Sequence, residues 1–201
     1  MTYSILPAAD DALASTADLA VAVDHLRRAV VEGAGPSGHR DEVLAFVADH
    51  DDAAHRTNPE AHLTGSALVV DPSRGRTLLM LHRKLGRWFQ PGGHADGDAN
   101  LAGVALREAT EETGIDGLEV VVPAIDVDVH RVEPPGEQPH LHLDTRFLVL
   151  APAGATEEGN EESRALRWVG LEDLDDLDPP IDPGTRRLVA RGLAVARELV
   201  G

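Results

Sequence analysis

The sequence predicts an α/β protein with a mixed β-sheet and a helical extension at its N-terminus. Three observations predict it. Apolar residues recur at helical spacing before residue 60, strand-like runs recur after His62, and two helix signals stand among those runs, one ending at Gly114 and one opening at Asp182-Pro183.

The elements read in order as follows. Ser15-Thr16 can cap a first helix carrying Leu19, Val23, Leu26, Val30 and Val31, which Gly33-Ala34-Gly35-Pro36 ends. A second, shorter helix runs from about Asp41 through Val43, Leu44, Phe46 and Val47 towards His50, and Asn58-Pro59 marks a loop. Strands follow at 66–70 and 77–82, around a turn at Asp71-Pro72-Ser73-Arg74-Gly75. Residues 84–93 form a loop carrying Trp88 and Phe89, and a helix begins near Asp98 or Asn100. Strands return at 118–129, 140–150 and 166–169, with a short helix at 172–177. Asp182-Pro183 then opens an amphipathic helix through Leu188, Leu193, Val195 and Leu199. The chain divides into a helical extension, 1–60, and a domain of strands and helices, 61–201. The extension serves as a lid, a dimerisation arm making a homodimer, or simple packing, and these alternatives stay open at this point.

Composition narrows the partners. A hydrophobic share of 42% in 201 residues suffices for a real core. The formal net charge of −17 argues against nucleic-acid backbone and anionic membrane as partners. The absence of cysteine excludes disulfides and thiol chemistry. The N-terminal residues lack a basic stretch, Asp10-Asp11 follow, and no apolar run is long enough to span a bilayer. A cytoplasmic protein is expected.

The most informative stretch is Gly92-Gly93-His94 followed by Arg107-Glu108-Ala109-Thr110-Glu111-Glu112-Thr113-Gly114-Ile115. Helical geometry puts Glu108, Glu111 and Glu112 on one face, where like charges repel. A hard divalent cation relieves that repulsion, and carboxylate oxygens suit Mg²⁺ or Mn²⁺. The glycines let backbone come close to a bound group. The pattern points to a metal-dependent enzyme acting on a small-molecule phosphate. Given the acidic chain, metal and nearby arginines must turn the local field positive.

This stretch resembles the Nudix box, G-x5-E-x7-R-E-U-x-E-E-x-G-U, where U is a bulky aliphatic residue. Gly93 takes the opening position, and Arg107, Glu108, Glu111, Glu112, Gly114 and Ile115 fall in register. Two positions depart: Ala99 stands where the first glutamate belongs, and Ala109 where the first U belongs. Asp96 and Asp98 flank Ala99, and either is a candidate replacement. Trp88, Pro91 and a strand–Trp–helix pattern at Trp168 also look like the family. The resemblance implies a Nudix-type α/β/α sandwich and Mg²⁺ or Mn²⁺ held by Glu108, Glu111 and Glu112. It implies cleavage of a pyrophosphate bond by in-line water attack, in a nucleoside diphosphate linked to another moiety or in a nucleoside triphosphate. Arg107 then orients a carboxylate, while Gly93 and Gly114 shape the loop and the helix end. Many relatives place the general base on a loop ahead of the last strand. Glu161 and Glu162 lie in such a loop, and Glu162 is favoured, so the expected catalytic set is Glu111, Glu112 and Glu162.

A second constellation is His140-Leu141-His142-Leu143-Asp144, whose alternation puts His140, His142 and Asp144 on one face of a strand. With His94, and with His62 and His82 near other strands, these residues are expected to line the substrate pocket, by binding phosphate as imidazolium or shaping base recognition, or to hold a second metal. Arg83, Lys84 and Arg87, with Arg131 and Arg146, are candidates for phosphate contacts. Trp88 and Phe89 are either core or base-stacking residues.

Substrate signatures of the family are missing. There is no downstream tyrosine of the dinucleoside polyphosphate kind and no SQPWPFPxS run, and His130-Arg131 stand where ADP-ribose enzymes carry a proline. Two other readings compete. Ala99 suggests a catalytically weak nucleotide or sugar-nucleotide sensor. An isoprenoid diphosphate isomerase is disfavoured because the chain lacks the cysteine such enzymes use.

Overall fold

The computed structural model describes residues 2–134, 136 and 138–199. Its centre is a mixed sheet of eight strands: β1 (Ser4–Pro7), β2 (Ala61–Val70), β3 (Thr77–His82), β4 (Trp88–Phe89), β5 (Gly92–His94), β6 (Glu119–Val132), β7 (His140–Leu150) and β8 (Ser163–Val169). The order is β1-β6-β7-β2-β3-β4, with β5 paired to β2 and β8 to β3. Among the described residues, only β2 and β7 run parallel, from Ala61 opposite Leu141 to Val70 opposite Leu150.

Strand alternation sorts the two faces. Leu63, Ala67 and Val69 of β2 and Leu143, Phe147 and Val149 of β7 join one apolar cluster with α1 (Leu19–Arg28), α2 (Ala34–Asp49) and α3 (Leu101–Thr113). Leu68, Val70, Leu148 and Leu150 face the opposite way, against Leu188, Val189 and Leu193 of α4 (Pro183–Glu198). Helix layers on both sides of a mixed sheet make the expected α/β/α sandwich. On the α4 side the apolar rows give way to a polar band. It comprises His62, Thr64 and Ser66 on β2, His142, Asp144 and Arg146 on β7, and Asp126, Asp128 and His130 on β6.

The N-terminal sixty residues differ in detail from the sequence reading. They begin with a strand, β1, paired antiparallel with β6. The cap of α1 is Asp18, whose side chain accepts from Ala20 N at 3.0 Å. The helix ends at Arg28, and Val30 N instead donates to Ala124 O on β6 at 2.8 Å. Helix α2 starts at Ala34 and so includes Gly35-Pro36, which the sequence reading took as a breaker. Proline in the first turn costs no hydrogen bond, because those N–H groups have no partner within the helix. Ala22, Leu26, Val43 and Val47 lie in the same apolar cluster as α3 and the sheet.

Candidate active site

Helix α3 is fixed at both ends. Asn100 caps its start, its side chain accepting from Gly103 N at 3.3 Å. Gly114 closes it in the left-handed region at φ 66°, with its N–H on Thr110 O at 2.9 Å. A side chain at Gly114 would also meet Glu158 O at 2.8 Å. The intervening turns carry Glu108, Glu111 and Glu112.

Strand β5 lies against this helix. A Cβ at Gly93 would come within 2.4 Å of the Glu108 carboxylate, so only glycine lets backbone and carboxylate approach this closely. The N–H of Gly92 donates to Glu112 Oε2 at 2.9 Å. Glu112 is 5% exposed. Burial pushes its carboxyl up to about 8; the Gly92 N–H opposes the shift, and the charges of Glu108, Glu162 and Glu111 add to it. Glu108 is raised too, first by burial, with Arg107 opposing and Glu111, Glu162 and Asp96 adding. Arg107 lies 3.7 Å from Glu108.

Glu162 therefore stands in the field of Glu108 and Glu112, although it comes from the exposed turn before β8. Its backbone is held on both sides. Its N–H donates to Asn160 Oδ1 at 2.8 Å, and its carbonyl accepts from Arg83 N at 2.7 Å. Glu161 is named by none of these interactions.

The position of the missing box glutamate is closed. Ala99 is fully buried, and its N–H donates to Thr16 O at 2.6 Å. Asp98 supplies the nearby carboxylate: it receives Arg107 Nη1 at 3.4 Å, Asn100 N at 3.0 Å and Thr16 N at 3.2 Å. Asp96 turns instead to a bidentate pair with Arg56. Asn100 also donates to Ala12 O at 2.9 Å and Ala14 O at 3.1 Å, and its Oδ1 lies 3.1 Å from His25 Nε2. The N-terminal segment thus buttresses the box loop. Sequence reasoning missed Thr16, His25 and Arg56 because their partners lie tens of residues away.

Other expected site residues sit elsewhere. Asp144 is 2% exposed and accepts from Thr64, Ser66 and Arg146 at 2.7–3.0 Å. Arg146, 5% exposed, pairs with Asp144, Asp126 and Asp128 at 2.7, 3.2 and 3.0 Å. These two residues compensate each other inside the sheet, so neither presents a free charge to a phosphate. Arg131 pairs with Glu133 at 3.0 Å. Trp88 is core: it is buried and donates to Asp178 O at 3.1 Å. Phe89 is half-buried. Arg83 and Arg87 are exposed on either side of the 84–86 turn, Arg83 also donating to Ser163 O at 3.0 Å.

The histidines converge. His62 of β2 lies opposite His142 of β7, and His142 opposite His130 of β6. The His62 ring lies 4.9, 4.8 and 5.0 Å from those of His94, His140 and His142. His82 stays outside this group, its Nδ1 accepting from Lys84 N and Leu85 N at 3.2 Å.

Comparison with known proteins agrees with this geometry. A family model described as the NUDIX domain matches residues 61–192. Phosphatase NudJ of Escherichia coli K12 is 29% identical over 147 residues, covering 70% of this chain and 85% of NudJ, as is its Shigella flexneri counterpart. A NUDIX-family hydrolase from Clostridium perfringens superposes with a TM-score of 0.56 at 22% identity, covering 67% of this chain and 97% of that one. An Ap4A hydrolase from C. elegans superposes with a TM-score of 0.54 at 18% identity, covering 68% and 98%. These two structures share the fold. With the matched domain spanning most of the sheet, α3 and its glutamates, this chain belongs to the NUDIX family.

Proposed function

We propose that the chain cleaves a pyrophosphate bond, in a nucleoside diphosphate linked to another moiety or in a nucleoside triphosphate, by in-line attack of water at phosphorus. The observation that carries this reading is the carboxylate cluster. Burial first, then the charges of Glu108, Glu162 and Glu111, push Glu112 up to about 8, and Glu111 and Glu162 add likewise to the rise of Glu108. A buried anionic group left under-compensated by the protein suits an added cation.

The donor set consists of carboxylate oxygens, which fits Mg²⁺ or Mn²⁺ rather than a soft ion. Glu108, Glu111 and Glu112 would hold it. Such a cation, when bound, lowers the pKa of a coordinated water and neutralises phosphate charge. The residues of the chain do the rest. Gly92 N–H fixes one oxygen of Glu112, and Arg107 orients Glu108. Glu162, the proposed general base, accepts the proton of the attacking water from its loop beside the cluster. Arg83 and Arg87 bring positive charge to the phosphate oxygens. His94 and His140 are proposed for the pocket wall. Burial, first, lowers the His142 imidazole, which disfavours an imidazolium–phosphate pair there. Asp98, paired with Arg107, supplies a carboxylate beside the substituted box position, which weakens the case for a non-catalytic sensor. The phosphatase name of the E. coli relative agrees with the reaction class.

A panel of nucleotides and sugar nucleotides, assayed for phosphate release with Mg²⁺ or Mn²⁺, tests the reading. At least one member should be hydrolysed, and Glu112→Gln should abolish the release. Tight binding without release from any member would favour the sensor instead.

A further inference from the structure

We propose that His62, His94 and His142 form a second metal site, for a borderline transition ion such as Zn²⁺, separate from the carboxylate site. One ligand nitrogen from each residue lies within 4.8 Å of the other two. A tetrahedral zinc with nitrogen ligands at ~2.0–2.1 Å places those nitrogens about 3.4 Å apart, so small rotations of the rings close the site. The strands supply the register. His62 and His142 are partners in the parallel β2–β7 ladder, and His94 sits on β5, whose pairing sets it opposite Thr64, two residues from His62 on the same face.

A second, independent observation points to a ligand. Among the described residues, Nε2 of His142 is buried without a hydrogen-bond partner, and the ring nitrogens of His62, which is 2% exposed, are buried with only a loose approach to the Asn58 backbone. Buried polar atoms in folded proteins are normally satisfied, and an orphaned group asks for a missing partner. A cation accepts an imidazole lone pair where no donor stands. Burial disfavours the charged form of both rings.

Neighbouring groups define the surroundings. His140 is anchored through Nδ1 to Gln138 O at 2.9 Å, and His130 through Nδ1 to Asp128 at 3.1 Å; both rings border the triad. Three histidine ligands leave a fourth position for water or an anionic oxygen. The strand separates two chemistries. Gly93 faces the Glu108 carboxylate on the α3 side, whereas His94, the next residue, turns to the imidazoles. Hard oxygen donors and borderline nitrogen donors thus stand on the two faces of β5, and each selects a different ion.

The test uses untagged full-length protein, stripped with chelator and desalted, and titrated with Co²⁺ and then Zn²⁺. The expected result is one equivalent of Co²⁺ with the intense visible bands of a low-coordinate nitrogen site, bleached by Zn²⁺. A Glu108→Gln/Glu112→Gln variant should bind Zn²⁺ with wild-type affinity, which separates this site from the carboxylate site. His142→Ala should weaken Zn²⁺ binding by about 100-fold or more, since loss of a ligand costs at least as much as loss of its supporting hydrogen bond. Where His142→Ala fails to fold, His94→Gln on the short β5 decides, its fold checked by circular dichroism. Undiminished Zn²⁺ binding by His94→Gln, loss of binding in the glutamate variant alone, or no stoichiometric binding by wild-type protein would each overturn the proposal.

Discussion

Arg146 and Glu112 are both charged residues, both 5% exposed and both set against the central sheet, yet their surroundings treat them in opposite ways. Around Arg146 the protein has built its own counter-charge. Asp126, Asp128 and Asp144 surround the guanidinium, and Arg187 adds a second cation on Asp126 and Asp128 at 3.0–3.1 Å. Burial pushes Asp128 up, but the His130 hydrogen bond and the charge of Arg146 outweigh it, and its carboxyl stays well below the usual range. Around Glu112 the protein has built more negative charge, and the carboxyl is raised to about 8, by burial first. A self-compensated network is what a fold needs to hold strands in register. An uncompensated one stays costly until something from solution completes it. The first region is structure; the second is a receptor for a cation.

The largest test of that contrast is Arg146→Met. It removes the central cation, leaving Asp126 and Asp128 to Arg187 and His130, and Asp144 to the hydroxyls of Thr64 and Ser66. Breaking a buried network on one side costs about 3–5 kcal/mol. Urea unfolding should register a loss of that size, and an unchanged midpoint would break the comparison from the structural side.

Glu112→Gln should do the reverse to stability. The amide keeps an oxygen for the Gly92 N–H, and the buried charge disappears. Near pH 8 the metal-free variant should melt above metal-free wild type, while turnover falls by about 100-fold or more, since catalysis loses a charge-stabilising cation contact. A variant that is both slower and less stable than wild type without metal would place Glu112 among the self-compensated groups.

Glu162→Gln separates chemistry from packing. The side chain is exposed and sits beside the cluster without being buried in it. Turnover should fall by about 100-fold, within the range for loss of a general base. The melting temperature should hardly move, and Glu161→Gln should leave both quantities near wild type. Equal losses from the two variants would withdraw the base assignment from Glu162.

The comparison also has a pH signature. In the unfolded chain Glu112 titrates near the ordinary 4.5, whereas in the fold it titrates at about 8. Between those values the folded protein binds more protons than the unfolded one, so stability falls as pH rises, by up to about 1.4 kcal/mol per pH unit from this group. The histidines slope the other way. His62 is lowered to about 4, so its contribution is present above 6.5 and is lost as pH falls through that window. The clean range for Glu112 is therefore pH 6.5–8 in metal-free protein. The difference between wild type and Glu112→Gln should grow with pH there and shrink when Mg²⁺ or Mn²⁺ is added. A difference that stays flat with pH would mean that Glu112 is already ionised in the fold.

How much of this was readable beforehand depends on how far each signal reaches along the chain. The box is local: Gly93, Arg107, Glu108, Glu111, Glu112 and Gly114 lie within one loop and one helix, and their spacing alone gives a shared face. The alternation of His140, His142 and Asp144 is equally local and persists in β7. What the alternation does not contain is register. Asp144 and Arg146 could be assigned to solvent or ligand until β6 and β2 brought Asp126, Asp128, Thr64 and Ser66 against them, across 16 to 80 residues. His62 had no partner within its own segment; the parallel β2–β7 ladder and the β2–β5 pairing supplied His142 and His94. The reading of Pro36 failed for a different reason. A proline that breaks a helix interior is acceptable in its first turn, and sequence alone did not fix which position it held.

The smallest expected effect concerns the same long-range wiring at the box helix. Asn100 caps α3 through Gly103 N and joins it to the N-terminal segment three ways: to the carbonyls of Ala12 and Ala14, and to His25. Asn100→Ala removes a helix cap worth about 1–2 kcal/mol and the two tethers with it. Asp98 and Ala99, both bonded to Thr16, should then hold the loop less firmly, and Arg107 would lose part of the carboxylate framework around it. The expected outcome is a loss of about 1–2 kcal/mol in thermal or urea unfolding, with a several-fold fall in turnover, the loop being one step removed from the cation. A stability loss with unchanged turnover would mean that the first sixty residues support the fold without positioning the glutamates. A fall in turnover would make that segment part of what keeps an otherwise repulsive carboxylate cluster in place.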